Sequence, residues 1–148
     1  MTKPVYRSTV ERSEASVTVT GGDELRGIDI DMADISDLVP TVAVVAALAS
    51  SPTRIRGVGF IRGKESDRLG DLARELRVAG VDVDETDDGL EIRASRPHAA
   101  RLGTHHDHRL AMAFAVLGSA VDGIEVEDPD VVAKSWPGFW TALEGMAG

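Results

Sequence analysis

The sequence predicts a mixed α/β chain built from a repeated βαβαββ unit, and three observations predict it. Short stretches of alternating apolar and polar residues, the pattern of strands, take turns with apolar runs long enough for helices. Four charged motifs, Ser36-Asp37, Lys64 to Arg68, Asp107-His108-Arg109 and Lys134-Ser135, stand where those helices should begin. Asp37 and Asp107 are 70 residues apart, and so are Lys64 and Lys134, so one shift superposes two charged helix starts. Apolar helices follow in the same register: the run from Val39 to Leu48 answers to the run from Arg109 to Gly118, and Leu69, Leu72 and Ala73 answer to Phe139, Ala142 and Leu143.

The elements follow in order. Val17 to Thr20 and Gly27 to Met32 alternate like strands, joined through Gly21-Gly22-Asp23. Asp37 is placed to cap a helix running to about Ser50, with Pro40 tolerated in its first turn. That helix is apolar almost all round, which predicts burial on every side. Arg54 to Val58 reads as a strand, and an amphipathic helix from about Ser66 to Ala79 turns Leu69, Leu72, Ala73 and Leu76 inward. Val81 to Asp84 and Leu90 to Arg93 make a hairpin around Asp88-Gly89, a favoured turn pair. Residues 27 to 93 therefore spell βαβαββ. A second unit, 100 to 148, opens near Ala100, continues through the helix after Asp107 and a strand from Gly123 to Val126, and ends in a helix from Ser135 to about Gly145. It stops before its last two strands.

Composition sets the function classes. At 148 residues the chain is one domain's worth, and 43% hydrophobic with 28% charged residues reads as globular. Its net charge of −9 argues against nucleic acid or an anionic membrane as the main partner. A basic rim is more informative against that field, and two of the three lysines, Lys3, Lys64 and Lys134, fall inside the repeated motif. The chain has no cysteine, so neither disulfides nor thiolate metal sites form within it. No stretch is apolar and long enough to span a bilayer, and Met1 to Pro4 lacks the apolar centre of a signal peptide, which leaves the cytoplasm as the expected compartment.

In an alternating chain, helix N-termini gather at one rim, where ligands bind. The four motifs should meet there and offer two lysines, two arginines, an aspartate and a glutamate to a substrate bearing phosphate and carboxylate. Each motif also has a plainer reading. Asp37 and Asp107 suit N-caps, and Asp107 is kept as one; Lys64 to Arg68 suits a solvated first turn; His105, His106 and His108 suit a metal cluster only by their short spacing. Trp136, Phe139, Trp140 and Leu143 form a helical stripe read as core.

Four stretches, Ile30 to Asp37, Arg62 to Leu69, Asp107 to Met112 and Val132 to Pro137, resemble the signature segments of the 5-enolpyruvylshikimate-3-phosphate synthase family, in the family's order. The resemblance covers nearly all of the chain from Val17 onward. It implies an inside-out α/β barrel fold with helices inside and sheets outside, of which this chain is most of a C-terminal domain. It also implies transfer of the enolpyruvyl group of phosphoenolpyruvate to the 5-hydroxyl of shikimate 3-phosphate, with no metal or organic cofactor and with the family's N-terminal domain as partner. Carried over by position, Asp37 orients or deprotonates the attacking hydroxyl, Lys64 binds the shikimate phosphate ligand beside it, and Glu65 exchanges a proton with the methylene carbon. Arg68 and Arg109 hold the phosphoenolpyruvate carboxylate and Lys134 its phosphate. Phe60 stands where some members have an asparagine, so that phosphate contact is not assigned. The alternatives are the enolpyruvyl transferase acting on UDP-N-acetylglucosamine, whose pattern lacks the Lys-Glu-Ser-Asp-Arg stretch, and a non-catalytic anion-binding fragment.

Overall fold

The structure is a computed structural model that describes residues 9 to 146. The Met1 to Pro4 reading and Lys3 lie outside the described residues. Eight strands and four helices of more than one turn follow in order among them: β1 Thr9–Arg12, β2 Val17–Thr20, β3 Asp29–Asp31, α1 Val39–Ala46, β4 Thr53–Arg56, α2 Arg68–Val78, β5 Val83–Glu85, β6 Leu90–Ile92, β7 Ala100–Leu102, α3 His108–Gly118, β8 Ile124–Val126 and α4 Phe139–Met146. Tight 3-10 turns, Ala33–Leu38, Gly59–Gly63 and Pro129–Lys134, lead into α1, α2 and α4.

From β3 to β6 the order is βαβαββ, and the strands form one sheet in the order β3-β4-β6-β5, parallel between β3 and β4 and antiparallel elsewhere. Alternation explains its two faces. Thr53, Ile55, Val83, Leu90 and Ile92 point inward and are buried, while Arg54, Arg56, Asp84, Glu91 and Arg93 point out and pair across strands. β7 and β8 repeat the β3 and β4 pairing in a parallel two-stranded sheet, with α3 between them as α1 lies between β3 and β4. Where β4 carries β6 on its second edge, β8 carries no strand there among the described residues. Beside that edge an apolar trough of about 740 Å³ runs between Phe114, Ile124, Trp140 and Leu143.

The core lies between the sheets and the helices. Val39, Ala43 and Val44 of α1, Leu69, Leu72 and Leu76 of α2, and Leu110, Phe114 and Leu117 of α3 join the inward strand residues in one cluster. A satellite cluster puts Phe139 of α4 against Ala111 and Ala115 of α3 and against Val131 and Val132. Phe139 sits edge-on between Trp136 and Trp140, and the Trp140 Nε1–H donates to the Pro129 carbonyl at 3.0 Å. Of the stripe read as core, Phe139 is buried and Trp140 and Leu143 are partly buried against it, but Trp136 is 47% exposed, because α4 covers only one side of α3 and leaves the ring at its own start facing outward.

Three expectations need correction. Asp37 does not cap α1: it lies inside the preceding 3-10 turn, Leu38 is the N-cap and no side chain caps it. Pro40, the second residue of the helix, fits in any case, since its fixed φ suits the first turn and it needs no acceptor. α1 is not buried all round, because α3 covers one side and Leu38, Val45 and Leu48 remain exposed on the other. Finally, β2 pairs with β1, in a register that sets Val10 against Val19, rather than with β3; β1 was missed because Glu11 and Arg12 break the apolar run. All eight residues of this ribbon are exposed.

The hairpin turn supplies a stability test. A Cβ on Gly89 would come within 1.9 Å of the Ile55 carbonyl oxygen of β4, so only glycine lets β6 close on that strand. Gly63 has nothing within 4 Å of such an atom. Gly89→Ala should therefore lower unfolding free energy by about 1 to 3 kcal/mol in urea titration, and Gly63→Ala should leave the midpoint nearly unchanged.

Candidate functional site

The site is built around Arg68, the first residue of α2, whose side chain is 1% exposed. Its Nε donates to Asp107 Oδ2 at 2.8 Å and one terminal nitrogen reaches Asp107 Oδ1 at 3.3 Å. The other terminal nitrogen donates to Asp37 Oδ1 at 3.0 Å, and the first also pairs with Glu65. Asp37 in turn takes Arg109 on its second oxygen at 2.9 Å. Two guanidiniums and three carboxylates thus form one connected group, drawn from the turn before α1, the start of α2 and the start of α3.

Local structure explains each placement. Asp67 caps α2 by accepting the Gly70 N–H at 3.0 Å, which turns the preceding Glu65 and Ser66 toward α3. Arg62 pairs with Asp67 at 3.4 Å and Glu85 at 2.9 Å and ties the segment before Lys64 to β5. Asp107 caps α3 by accepting the Arg109 N–H at 2.9 Å, as expected, but it also receives Arg68 and the Ser66 hydroxyl at 3.3 Å. Spacing could not reveal that second role, because nothing local distinguishes a cap from a cap that meets a buried arginine 39 residues away.

Charge follows geometry. Burial alone would push the Asp107 carboxyl up, yet the Arg68 hydrogen bond and charge, helped by the Arg109 and Ser66 donors, hold it below the usual carboxylate range. Burial likewise works against the Arg68 charge, and Asp107, Glu65 and Asp37 outweigh it, so its guanidinium is raised further. The Glu65 carboxyl is lowered first by its own backbone N–H and then by Arg68 and His108, against burial and the Asp107 charge.

The remaining cations lie beside this group. The Lys134 Nζ donates to the His106 carbonyl at 2.8 Å, one residue from Asp107. Lys64 adjoins Glu65 in the chain and its Nζ lies 5.9 Å from the centre of the exposed Phe60 ring. Neither lysine has a carboxylate partner among the described residues. The structure thus joins Asp37, Glu65, Arg68 and Arg109 directly, brings Lys134 to the same loop, and forms no bond between Lys64 and Asp37. His108, absent from the expected set, stands at the centre: its Nε2 lies 3.5 Å from Glu65 Oε1 and its Nδ1 meets the Ser135 hydroxyl.

The histidines diverge instead of converging on one point. His105 Nε2 meets Glu75 Oε1 at 2.7 Å, His106 faces Asp128 at 3.6 Å and His108 faces Glu65 and Ser135. His105 and His106 both adopt left-handed backbone, φ 50° and 60°. Glu75 holds that bend by also accepting the Gly103 N–H at 2.9 Å, and the bend presents the carbonyl that Lys134 meets.

A family model described as EPSP synthase (3-phosphoshikimate 1-carboxyvinyltransferase) matches residues 3 to 143. A 3-phosphoshikimate 1-carboxyvinyltransferase of Methanoculleus marisnigri is 50% identical over 130 residues, which cover 88% of this chain and 31% of that protein. EPSP synthase from Acinetobacter baumannii superposes with a TM-score of 0.82 at 30% identity, over 97% of this chain and 36% of that one. The enolpyruvyl transferase NikO from Streptomyces tendae shares the fold, with a TM-score of 0.76 at 22% identity, over 95% of this chain and 32% of that one. The chain spans about a third of the length of the curated relatives it matches.

The buried pair sets a pH-dependent stability. Because the Asp107 carboxyl lies below its unfolded value of about 3.9, its contribution is present above that pH and is lost as pH falls through the lower folded value. Asp107→Asn takes from Arg68 its one buried carboxylate, leaving only the partly exposed Asp37 and Glu65, and should cost about 3 kcal/mol near neutral pH. Acid titration followed by circular dichroism should show that the gap between wild type and Asp107→Asn closes as the pH drops below about 4.

Proposed function

The chain belongs to the EPSP synthase family, and from that premise we propose that it forms one wall of a site where phosphoenolpyruvate gives its enolpyruvyl group to the 5-hydroxyl of shikimate 3-phosphate. The observation that carries this reading is the shared cluster: Arg68 and Arg109 bridged by Asp37, with Lys64 and Lys134 at the same rim and free of carboxylate partners among the described residues. Guanidinium forks match a carboxylate and lysines serve as point charges for phosphate, so the set suits two substrates that each carry both groups.

In the proposed mechanism Arg68 and Arg109 hold the phosphoenolpyruvate carboxylate and Lys134 its phosphate. Lys64 and Asp37 take the acceptor, with Asp37 orienting the hydroxyl or removing its proton as oxygen bonds to the substituted alkene carbon. Glu65 gives a proton to the methylene carbon in that addition and recovers one in the elimination that releases phosphate. No metal or organic cofactor enters the scheme. Supporting the proton role, Glu65 lies against both Arg68 and the His108 ring.

As one partial C-terminal domain, spanning 1 to 148 with a unit at 27 to 93 and an incomplete one at 100 to 148, the chain would face the family's N-terminal domain across the cleft. The reading sets the protein in the cytoplasm, in synthesis of chorismate and the aromatic amino acids; no helix among the described residues is long and apolar enough to cross a membrane.

Two outcomes test this. The chain alone should show no enolpyruvyl transfer, because one wall supplies neither full positioning nor exclusion of water; phosphate release at the rate of a longer relative would refute it. In a protein completed with the missing portion, Lys134→Ala should weaken phosphoenolpyruvate tenfold or more with little change for shikimate 3-phosphate, and Lys64→Ala should do the reverse and slow the chemistry. Equal losses for both ligands in equilibrium titration would overturn the assignment of roles.

A further inference from the structure

Four of the five N–H donors of Arg68 are taken, so neither two-donor edge of its guanidinium is free for the paired grip of an incoming carboxylate. Asp107 takes its Nε and shares a terminal nitrogen with Glu65, and Asp37 takes the other terminal nitrogen. A ligand that binds this guanidinium must therefore displace one of the three. Asp107 is fully buried, caps α3 and also holds the Ser66 hydroxyl, so its departure would unmake the fold. Asp37 is tied to both arginines. Glu65 is tied to one, with the His108 ring as its other side-chain neighbour, and sits in the turn before α2, so it costs least to move.

We propose that the carboxylate of phosphoenolpyruvate takes the place of Glu65 on Arg68, and that the released Glu65 picks up one proton from solvent beside His108, so that substrate binding loads the acid. The inference rests on the reading of Arg68 as holder of the substrate carboxylate. The balance is simple: the carboxylate gains one proton from the buffer, and that proton is the one delivered to the methylene carbon.

The groups facing Glu65 pull both ways, and the exchange removes one that favours its charge. Arg68 ceases to stabilise its charge once the ligand neutralises the guanidinium. Asp107 and Asp37 stay in place as neighbouring negative charges around the same guanidinium, and the ligand adds its own. His108, packed from α3 with its Nδ1 on Ser135, keeps its Nε2 within 3.5 Å of the Glu65 oxygen that does not touch Arg68. In the free protein its own backbone N–H, the largest influence, and then Arg68 and His108 lower the carboxyl while burial and the Asp107 charge raise it, so loss of the Arg68 contact shifts that balance upward.

Calorimetric titration of the 148-residue chain with phosphoenolpyruvate, in two buffers of different ionisation enthalpy near pH 6.5, reads proton exchange on binding. Wild type should take up roughly one more proton per ligand than Glu65→Gln, in which ligand ionisation is the same but the acid is gone. Its affinity should also fall up to tenfold per pH unit relative to Glu65→Gln as pH rises. Glu65→Gln should bind more tightly than wild type at neutral pH, because the internal competitor has lost its charge, and Glu65→Asp should restore the proton uptake. Binding with equal uptake in wild type and Glu65→Gln would overturn the exchange and leave the site assignment standing. Failure of wild type to bind phosphoenolpyruvate at millimolar concentration would overturn both.

Discussion

The rest of the structure depends on one buried ion pair. Arg68 opens α2 and Asp107 caps α3, so their contact joins the two repeated stretches at the level where both helices begin. Removing two such charges from water costs several kcal/mol each, and attraction alone seldom recovers it. Here the recovery comes from complete hydrogen bonding: Asp107 receives two donors from Arg68, a backbone N–H and a hydroxyl. Once Arg68 is fixed, its outward side sets the positions of Asp37 and Glu65. Those two carboxylates are half exposed and would otherwise wander. A rigid interior pair thus orders a mobile exterior pair.

Positions related by one 70-residue shift in the sequence carry unlike chemistry. Asp37 and Asp107 stand 70 residues apart, yet one bridges two arginines from a 3-10 turn and the other caps a helix from full burial. The lysine pair diverges too. Lys134 is held against a carbonyl by a bend that Glu75 and His105 maintain, while Lys64 lies over an exposed ring. Charged helix starts thus share one rim, and tertiary neighbours decide what each start does.

Much of this was legible in the sequence because it is local. Strand patterning located β2 to β6 and β8, the Asp88-Gly89 pair located the hairpin, and the charged motifs named the residues that meet. What stayed hidden depends on distance. The exposure of one side of α1 follows from which element packs on it, and an all-apolar helix carries no mark of that. The 3-10 turns before α1, α2 and α4 shortened each helix at its start because Pro40, Asp67 and the Trp136 to Trp140 packing set the entry angles. His108 was weighed only as one of three clustered histidines and given no place in the site, because the sequence does not say that α3 turns it toward Glu65.

The two left-handed residues before Asp107 also bear on how this loop can vary. At φ 50° and 60°, a side chain branched at Cβ meets the backbone, whereas glycine, asparagine or aspartate fits with little penalty. Positions 105 and 106 are thus filtered by backbone shape, while Asp107 next to them is filtered by charge and hydrogen bonding. Drift along this stretch should run in separate alphabets: small or polar residues exchanging at exposed position 106, a partner for Glu75 retained at 105, and a carboxylate retained one step after the bend.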